Sequence, residues 1–130
     1  MMSGNKHFIV IDDSELDCYI AERLIHHTGR CESFLSFTNA EVALRHIAAC
    51  TEEHKTIILL DVLMPVMNGF EFVEAFEKLP EGIRSNYSII ALTTSLSKHD
   101  INKIQSYEAV NHFIDKPISP EKLLPLLDAV

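Results

Sequence analysis

Short apolar runs alternate with longer segments of helical period along the whole chain. The runs, rich in Ile, Val, Leu and Phe, fall at residues 8–12, 32–37, 56–61, 87–93 and 112–116. Each is of strand length, and their apolar continuity predicts strands covered on both faces. Helical periodicity occupies about 14–28, 39–50, 69–79, 98–108 and 120–129. The chain therefore reads as a strand and a helix repeated five times. This (βα)5 pattern predicts an α/β fold, a doubly wound parallel five-stranded sheet between layers of helices.

Several predicted helix starts pair a hydroxyl or amide side chain with a carboxylate three residues on, which satisfies free backbone N–H groups of the first turn. Thr38 with Glu41, Asn68 with Glu71 and Ser97 with Asp100 all fit. Ser119-Pro120-Glu121 adds a proline at the first helical position, where its missing N–H costs nothing. Pro125, further in, removes an internal hydrogen bond from the last helix. The apolar stripes Leu16, Ile20 and Leu24, and Ala43, Leu44, Ile47 and Ala48, are expected to face the core.

At 130 residues the chain is expected to form one domain over 1–130, with its core from about residue 6. Hydrophobic residues at 47% and charged residues at 23% exclude disordered and fibrous classes. Eleven basic against nineteen acidic residues leave a net charge of −8, repulsive toward phosphate backbones and anionic lipid. With no Lys/Arg run either, nucleic-acid binding is not expected. No apolar run approaches a membrane span, and the N-terminus enters the first strand without a signal peptide's features. The expected location is cytoplasmic, without membrane insertion. Cys18, Cys31 and Cys50 are odd in number and lack Cys-x-x-Cys spacing, so buried free thiols are expected. The seven histidines, including the pair His26-His27, lack metal-ligand spacing and are expected at the surface.

In open parallel sheets, ligands bind beyond the carboxyl ends of the strands where the strand order reverses. The first run ends in Asp12-Asp13, the third in Asp61, the fourth in Thr93-Thr94 and the fifth in Asp115-Lys116-Pro117. Carboxylates gathered at one edge raise one another's pKa unless a counter-charge intervenes, and a hard divalent cation is the usual one. Mg²⁺ is the natural candidate. Its usual shell of one or two carboxylates, waters and a phosphate oxygen implies a phosphoryl group at the same place. Lys116 could then pair with a phosphoryl oxygen or a carboxylate, and a threonine hydroxyl could donate to a second phosphoryl oxygen.

These residues, in this order, resemble the receiver domain of bacterial two-component response regulators, the CheY-like family. The resemblance runs from Phe8-Ile9-Val10-Ile11-Asp12-Asp13 through Leu60-Asp61-Val62-Leu63-Met64-Pro65-Val66-Met67-Asn68-Gly69 and Ala91-Leu92-Thr93-Thr94 to Phe113-Ile114-Asp115-Lys116-Pro117. It implies the flavodoxin-like strand order 2-1-3-4-5. It implies that Asp61 is the phospho-acceptor, the nucleophile that takes a phosphoryl group from a phosphohistidine on a sensor histidine kinase or histidine phosphotransfer protein. By the same resemblance, Asp12 and Asp13 hold Mg²⁺ together with Asp61 and the backbone carbonyl of Leu63. Thr93 matches the switch hydroxyl, Lys116 the lysine that pairs with the phosphoryl group, and Phe113 the switch aromatic. Lys116-Pro117 is commonly a cis peptide in the family. Phosphorylation is expected to draw Thr93 toward the new group and vacate space for Phe113. That would remodel the face built from the helix at 98–108, the strand at 112–116 and the helix at 120–129, where a downstream protein target binds. Since the chain ends with its last predicted helix, it is expected to carry no output domain and to act as a diffusible output, a relay intermediate or a phosphate sink. It is not expected to be an enzyme beyond its own phosphorylation and slow dephosphorylation.

Departures from the family pattern bear on rates. Leu63 and Ser95, two residues after Asp61 and Thr93, stand where the family tunes access of the hydrolytic water, and Leu63 offers that water no polar group. Thr94 replaces a common Ala, and Val110-Asn111 replaces a frequent Gly-Ala. Phe113 lacks a hydroxyl, so a tyrosine-style hydrogen bond to a partner is unavailable, and ordinary core packing is the alternative to its switch role. Other classes fit less well. A haloacid-dehalogenase-type hydrolase needs Asp-x-Asp after the first strand, and Asp61-Val62-Leu63 lacks the second acid. A flavodoxin-like carrier needs a hydroxyl-rich phosphate loop where Asp12-Asp13 stand. A pseudo-receiver would lack one of the catalytic residues, and none is missing.

Overall fold

The computed structural model describes residues 6–51, 53–93 and 97–128; Thr94 and Ser95 lie outside them. Among the described residues the chain forms β1 (Lys6–Ile11), α1 (Glu15–His27), β2 (Cys31–Phe37), α2 (Ala40–Ala49), β3 (Thr56–Asp61), α3 (Gly69–Phe76), α4 (Glu81–Arg84), β4 (Tyr87–Thr93), α5 (Lys98–Ser106), β5 (Val110–Asp115) and α6 (Pro120–Leu127). The five strands are all parallel, in the order β2-β1-β3-β4-β5. Sequence periodicity missed α4, because a single four-residue turn is shorter than one repeat of an apolar stripe.

Strand residues alternate between two cores. Ile9, Ile11, Ile58, Leu60, Ile89 and Ala91 face one cluster, completed by α2, α3 and α5. Phe8, Val10, Ile57, Leu59, Ile90 and Leu92 face the other, completed by α1 and α6. All six residues of β3 are buried, as a central strand covered on both faces requires.

The helices correct three expectations. On α1 the buried face is Cys18, Ala21 and Ile25, whereas Leu16 is 65% and Ile20 47% exposed. Both sets have helical spacing, and the smaller side chains of Cys18 and Ala21 allow α1 a closer approach to the sheet. On α2, Ala40, Ala43 and Ile47 are buried, Leu44 is half-buried and Ala48 is exposed. Its N-cap is Asn39, accepting from the Val42 N–H, and not Thr38. Of the three free thiols Cys18 is buried, but Cys31 and Cys50 are only half-buried, at the start of β2 and the end of α2. Among the histidines, His26 and His27 are exposed as expected, whereas His7 and His54 are half-buried and stack at 3.6 Å.

Other punctuation matches the sequence. Asn68 and Glu71 form a reciprocal capping box on α3, Ser97 caps α5, and Ser119 with Pro120 starts α6, which continues through Pro125. Lys116-Pro117 is cis. The segment from Asp61 to α3 is held back against β3 by the Gly69 N–H, which donates to the Val62 carbonyl at 2.8 Å. A Cβ on Gly69 would sit 2.6 Å from the Val62 Cα, so no side chain fits there. Gly69→Ala is expected to destabilise the protein by roughly 1–3 kcal/mol through forced backbone displacement, measured as the shift in urea unfolding midpoint at unchanged slope.

Candidate functional site

β1 and β3 are neighbours from which the chain proceeds in opposite directions across the sheet, so their carboxyl ends border the crevice where such folds bind ligands. Asp12 and Asp13 follow β1, and Asp61 is the last residue of β3. One oxygen from each of the three lies within 4.8 Å of the others. Asp12 and Asp61 are buried and Asp13 is exposed, so the cluster opens to solvent on one side.

Asp12 is held at both oxygens. Its Oδ1 accepts from the Ser14 N–H at 3.0 Å, and its Oδ2 accepts from the Lys116 ammonium at 2.7 Å. The N-cap of α1 is Ser14, whose hydroxyl accepts from the Asp17 N–H at 3.1 Å. Neither carboxylate of the Asp12-Asp13 pair therefore serves as the side-chain cap of that helix. The Cys18 thiol donates to the Asp12 carbonyl, and burial pushes its pKa up to about 11, with Asp12 and Asp17 adding to the rise. It behaves as a packed thiol rather than a nucleophile.

Lys116 reaches this cluster from the end of β5. Its backbone N–H donates to the Thr93 carbonyl at 2.8 Å, which extends the β4–β5 pairing past Asp115. Its ammonium lies 3.1 Å from Asp17 Oδ2 and 3.7 Å from Asp61 Oδ2. Burial lowers the lysine pKa, but hydrogen bonds to Asp12 and Asp17 outweigh it and the net value rises to about 12. Asp61 moves up to about 7, through desolvation first and then the Asp12 charge; Lys116 and the Leu63 N–H only partly offset this. The Leu63 N–H is 3.4 Å from Asp61 Oδ1, and Leu63 is 51% exposed.

Thr93 is buried and its hydroxyl donates to Asp115 Oδ1 at 2.9 Å. It thus points to β5, with the Ile114 carbonyl at 3.4 Å as a weaker alternative. Phe113, half-buried on β5, packs against the core cluster of α2, α3 and α5. Val66, between Asp61 and α3, is 80% exposed at φ 69°, a left-handed conformation that a β-branched residue adopts at a cost of about 1–3 kcal/mol.

The structure thus brings together Asp12, Asp13, Asp61 and Lys116, with Leu63 on the rim, and places Thr93 at the neighbouring strand end. Sequence reasoning missed Asp17, and it placed Asp115 at the end of the fifth strand without assigning it the Thr93 hydroxyl as partner. Asp17, three residues after Ser14, has the spacing of a helix-capping acid, a signal that points away from the lysine. As a donor set, three carboxylates offering hard oxygens fit a small divalent cation such as Mg²⁺. One ammonium cannot balance Asp12, Asp13, Asp17 and Asp61 together, so a cation there relieves a charge surplus present in the chain itself.

Comparisons with known proteins agree with this geometry. The family model described as response regulator receiver domain matches residues 8–128. A two-component response regulator of Arabidopsis thaliana is 32% identical over 92% of this chain and 79% of its own length. The crystal structure of a response regulator receiver protein from Dyadobacter fermentans superposes with a TM-score of 0.85 at 28% identity, covering 95% of this chain and 94% of that one. At 20% identity and a TM-score of 0.76, the fold is also that of the receiver domain of a sensor histidine kinase from Pseudomonas aeruginosa, covering 96% of each chain; that structure has a magnesium ion coordinated in its active site cleft. Among the described residues, no helix is long and apolar enough to cross a membrane.

The raised pKa of Asp61 has a thermodynamic consequence. The folded, metal-free chain retains this proton up to about pH 7, whereas the unfolded chain releases it near its ordinary value of 3.8. Between those limits the folded state binds more protons, so this group's contribution to stability falls as pH rises through the window. Asp61→Asn removes that slope. In EDTA the variant is expected to be roughly 2–4 kcal/mol more stable than the wild type above pH 7, with the difference vanishing toward pH 4. Denaturant titrations across that range check both the sign and the window.

Proposed function

The chain belongs to the response regulator receiver domain family, and from that premise we propose that Asp61 accepts a phosphoryl group from a phosphohistidine. The donor is a sensor histidine kinase or a histidine phosphotransfer protein. The observation that carries this reading is the meeting of three carboxylates within 4.8 Å, with the Lys116 ammonium 3.7 Å from Asp61. An Asp61 oxygen attacks phosphorus, an O–P bond forms, the P–N bond to the imidazole breaks, and the electron pair leaves with the imidazole nitrogen. The product is an acyl phosphate, which water later cleaves to inorganic phosphate and the free carboxylate.

Asp12, Asp13 and Asp61, with the Leu63 carbonyl, would hold Mg²⁺. The ion supplies charge neutralisation toward the phosphoryl oxygens and lets the carboxylates remain ionised together. Lys116 pairs with a phosphoryl oxygen, and the Thr93 hydroxyl leaves Asp115 to donate to another. Loss of the Thr93–Asp115 hydrogen bond frees β5, and Phe113 moves into the space behind β4. The face of α5, β5 and α6 is thereby remodelled for a downstream protein target. We read residues 1–130 as one receiver domain.

Intact-protein mass after incubation with acetyl phosphate tests the assignment. One Mg²⁺-dependent, base-labile phosphoryl group is expected on the wild type and none on Asp61→Asn; equal labelling of Asp61→Asn would overturn it. Lys116→Ala is expected to bind Mg²⁺ but to lose most of the phosphorylation-dependent amide shifts in α5, β5 and α6, read by NMR. Full-size shifts in that variant would remove Lys116 from the switch.

A further inference from the structure

Asp17 is used by nothing in the mechanism above, yet it holds the site's one lysine. It occupies the third position of α1, where an acidic side chain ordinarily turns back to the N–H of the N-cap residue. Here the Ser14 N–H is taken by Asp12 Oδ1 at 3.0 Å, so the Asp17 carboxylate is released from capping and accepts from Lys116 at 3.1 Å. The ammonium thereby spends two of its three N–H groups on Asp12 and Asp17 and stands 3.7 Å from Asp61, outside hydrogen-bond range. Of the three carboxylates around Lys116, Asp17 alone is absent from the trio Asp12, Asp13 and Asp61 whose oxygens converge. A cation in that trio would draw charge from Asp12 and Asp61 but leave Asp17 to compete for the lysine.

We propose that Asp17 is a positioning residue that holds Lys116 on the α1 side of the site and competes with a phosphoryl group on Asp61 for the same ammonium. The proposal rests on the phospho-acceptor reading of Asp61. It makes the first turn of α1 a determinant of how strongly the phosphorylated state is favoured, through an acid that touches neither the phosphoryl group nor the cation.

Calorimetric titration with beryllium fluoride, a phosphoryl mimic, at saturating Mg²⁺ tests it on four proteins. Asp17→Asn is expected to bind the mimic roughly threefold to fivefold more tightly than the wild type, the scale of one partly exposed ion pair. Asp17→Glu, which keeps the charge and can reach the lysine, is expected to return to within about twofold of wild type. Glu15→Gln removes the same charge from the same exposed turn, and no change is expected. A merely structural role would not give a gain that the conservative variant reverses. Unchanged or weaker binding by Asp17→Asn, or an equal gain in Glu15→Gln, would overturn the proposal while leaving the phospho-acceptor reading intact. If the wild type binds no mimic and accepts no phosphoryl group from acetyl phosphate, the reading beneath it fails as well.

Discussion

The contact between Lys116 and Asp12, 2.7 Å long with side chains 17% and 2% exposed, is the interaction on which the site depends. It joins the two strands farthest apart among those that contribute to the site, β1 and β5, across the ends of β3 and β4. A buried carboxylate without a partner is costly, and removing one member of such a pair leaves the other uncompensated. The lysine therefore closes the edge of the sheet at the acidic cluster. It still leaves a negative surplus beside Asp61, whose pKa moves up to about 7 chiefly through burial, with the Asp12 charge adding to the rise. A site that is incompletely neutralised by its own residues is one prepared for a cation.

Around that contact, each strand end carries one duty. β3 delivers Asp61 from a strand buried on both faces, so the backbone of this carboxylate has little freedom. The following segment returns tightly enough that Gly69 touches Val62 and leaves no room for a Cβ. β4 delivers Thr93 and β5 delivers Asp115, and the hydroxyl bonds that acid across the last rung of the sheet. A hydroxyl with one proton can serve Asp115 or a phosphoryl oxygen, but not both at full strength. That choice between two acceptors is the kind of bistable local event that a change of charge can bias.

Helix α1 shows how packing distributes roles that spacing leaves open. Its buried residues are Cys18, Ala21 and Ile25, while the larger apolar residues Leu16, Tyr19 and Ile20 stay exposed. The same rotation that puts Cys18 against the Asp12 carbonyl brings Asp17 to Lys116. A helix turned to bury Leu16 and Ile20 would carry Asp17 elsewhere. The burial of one face of α1 and the electrostatics of the site are thus one geometric choice.

The amino-acid sequence by itself determined the parallel sheet, the strand end at which each candidate site residue stands, and the identity of the acidic trio and its lysine. These follow from local apolar periodicity, from fixed positions at strand ends and from a motif order matched over most of the chain. The tertiary structure decided which of two helical stripes on α1 is buried, that Asn39 rather than Thr38 caps α2, and what Asp17 and Thr93 bond. The reason is range. Asp17 and Lys116 are 99 residues apart and Thr93 and Asp115 are 22 apart, so neither pairing leaves a periodic trace along the chain. Asp17 also sits at a spacing with a sufficient local explanation, helix capping, and only the occupation of the Ser14 N–H by Asp12 shows that the acid is released for another partner.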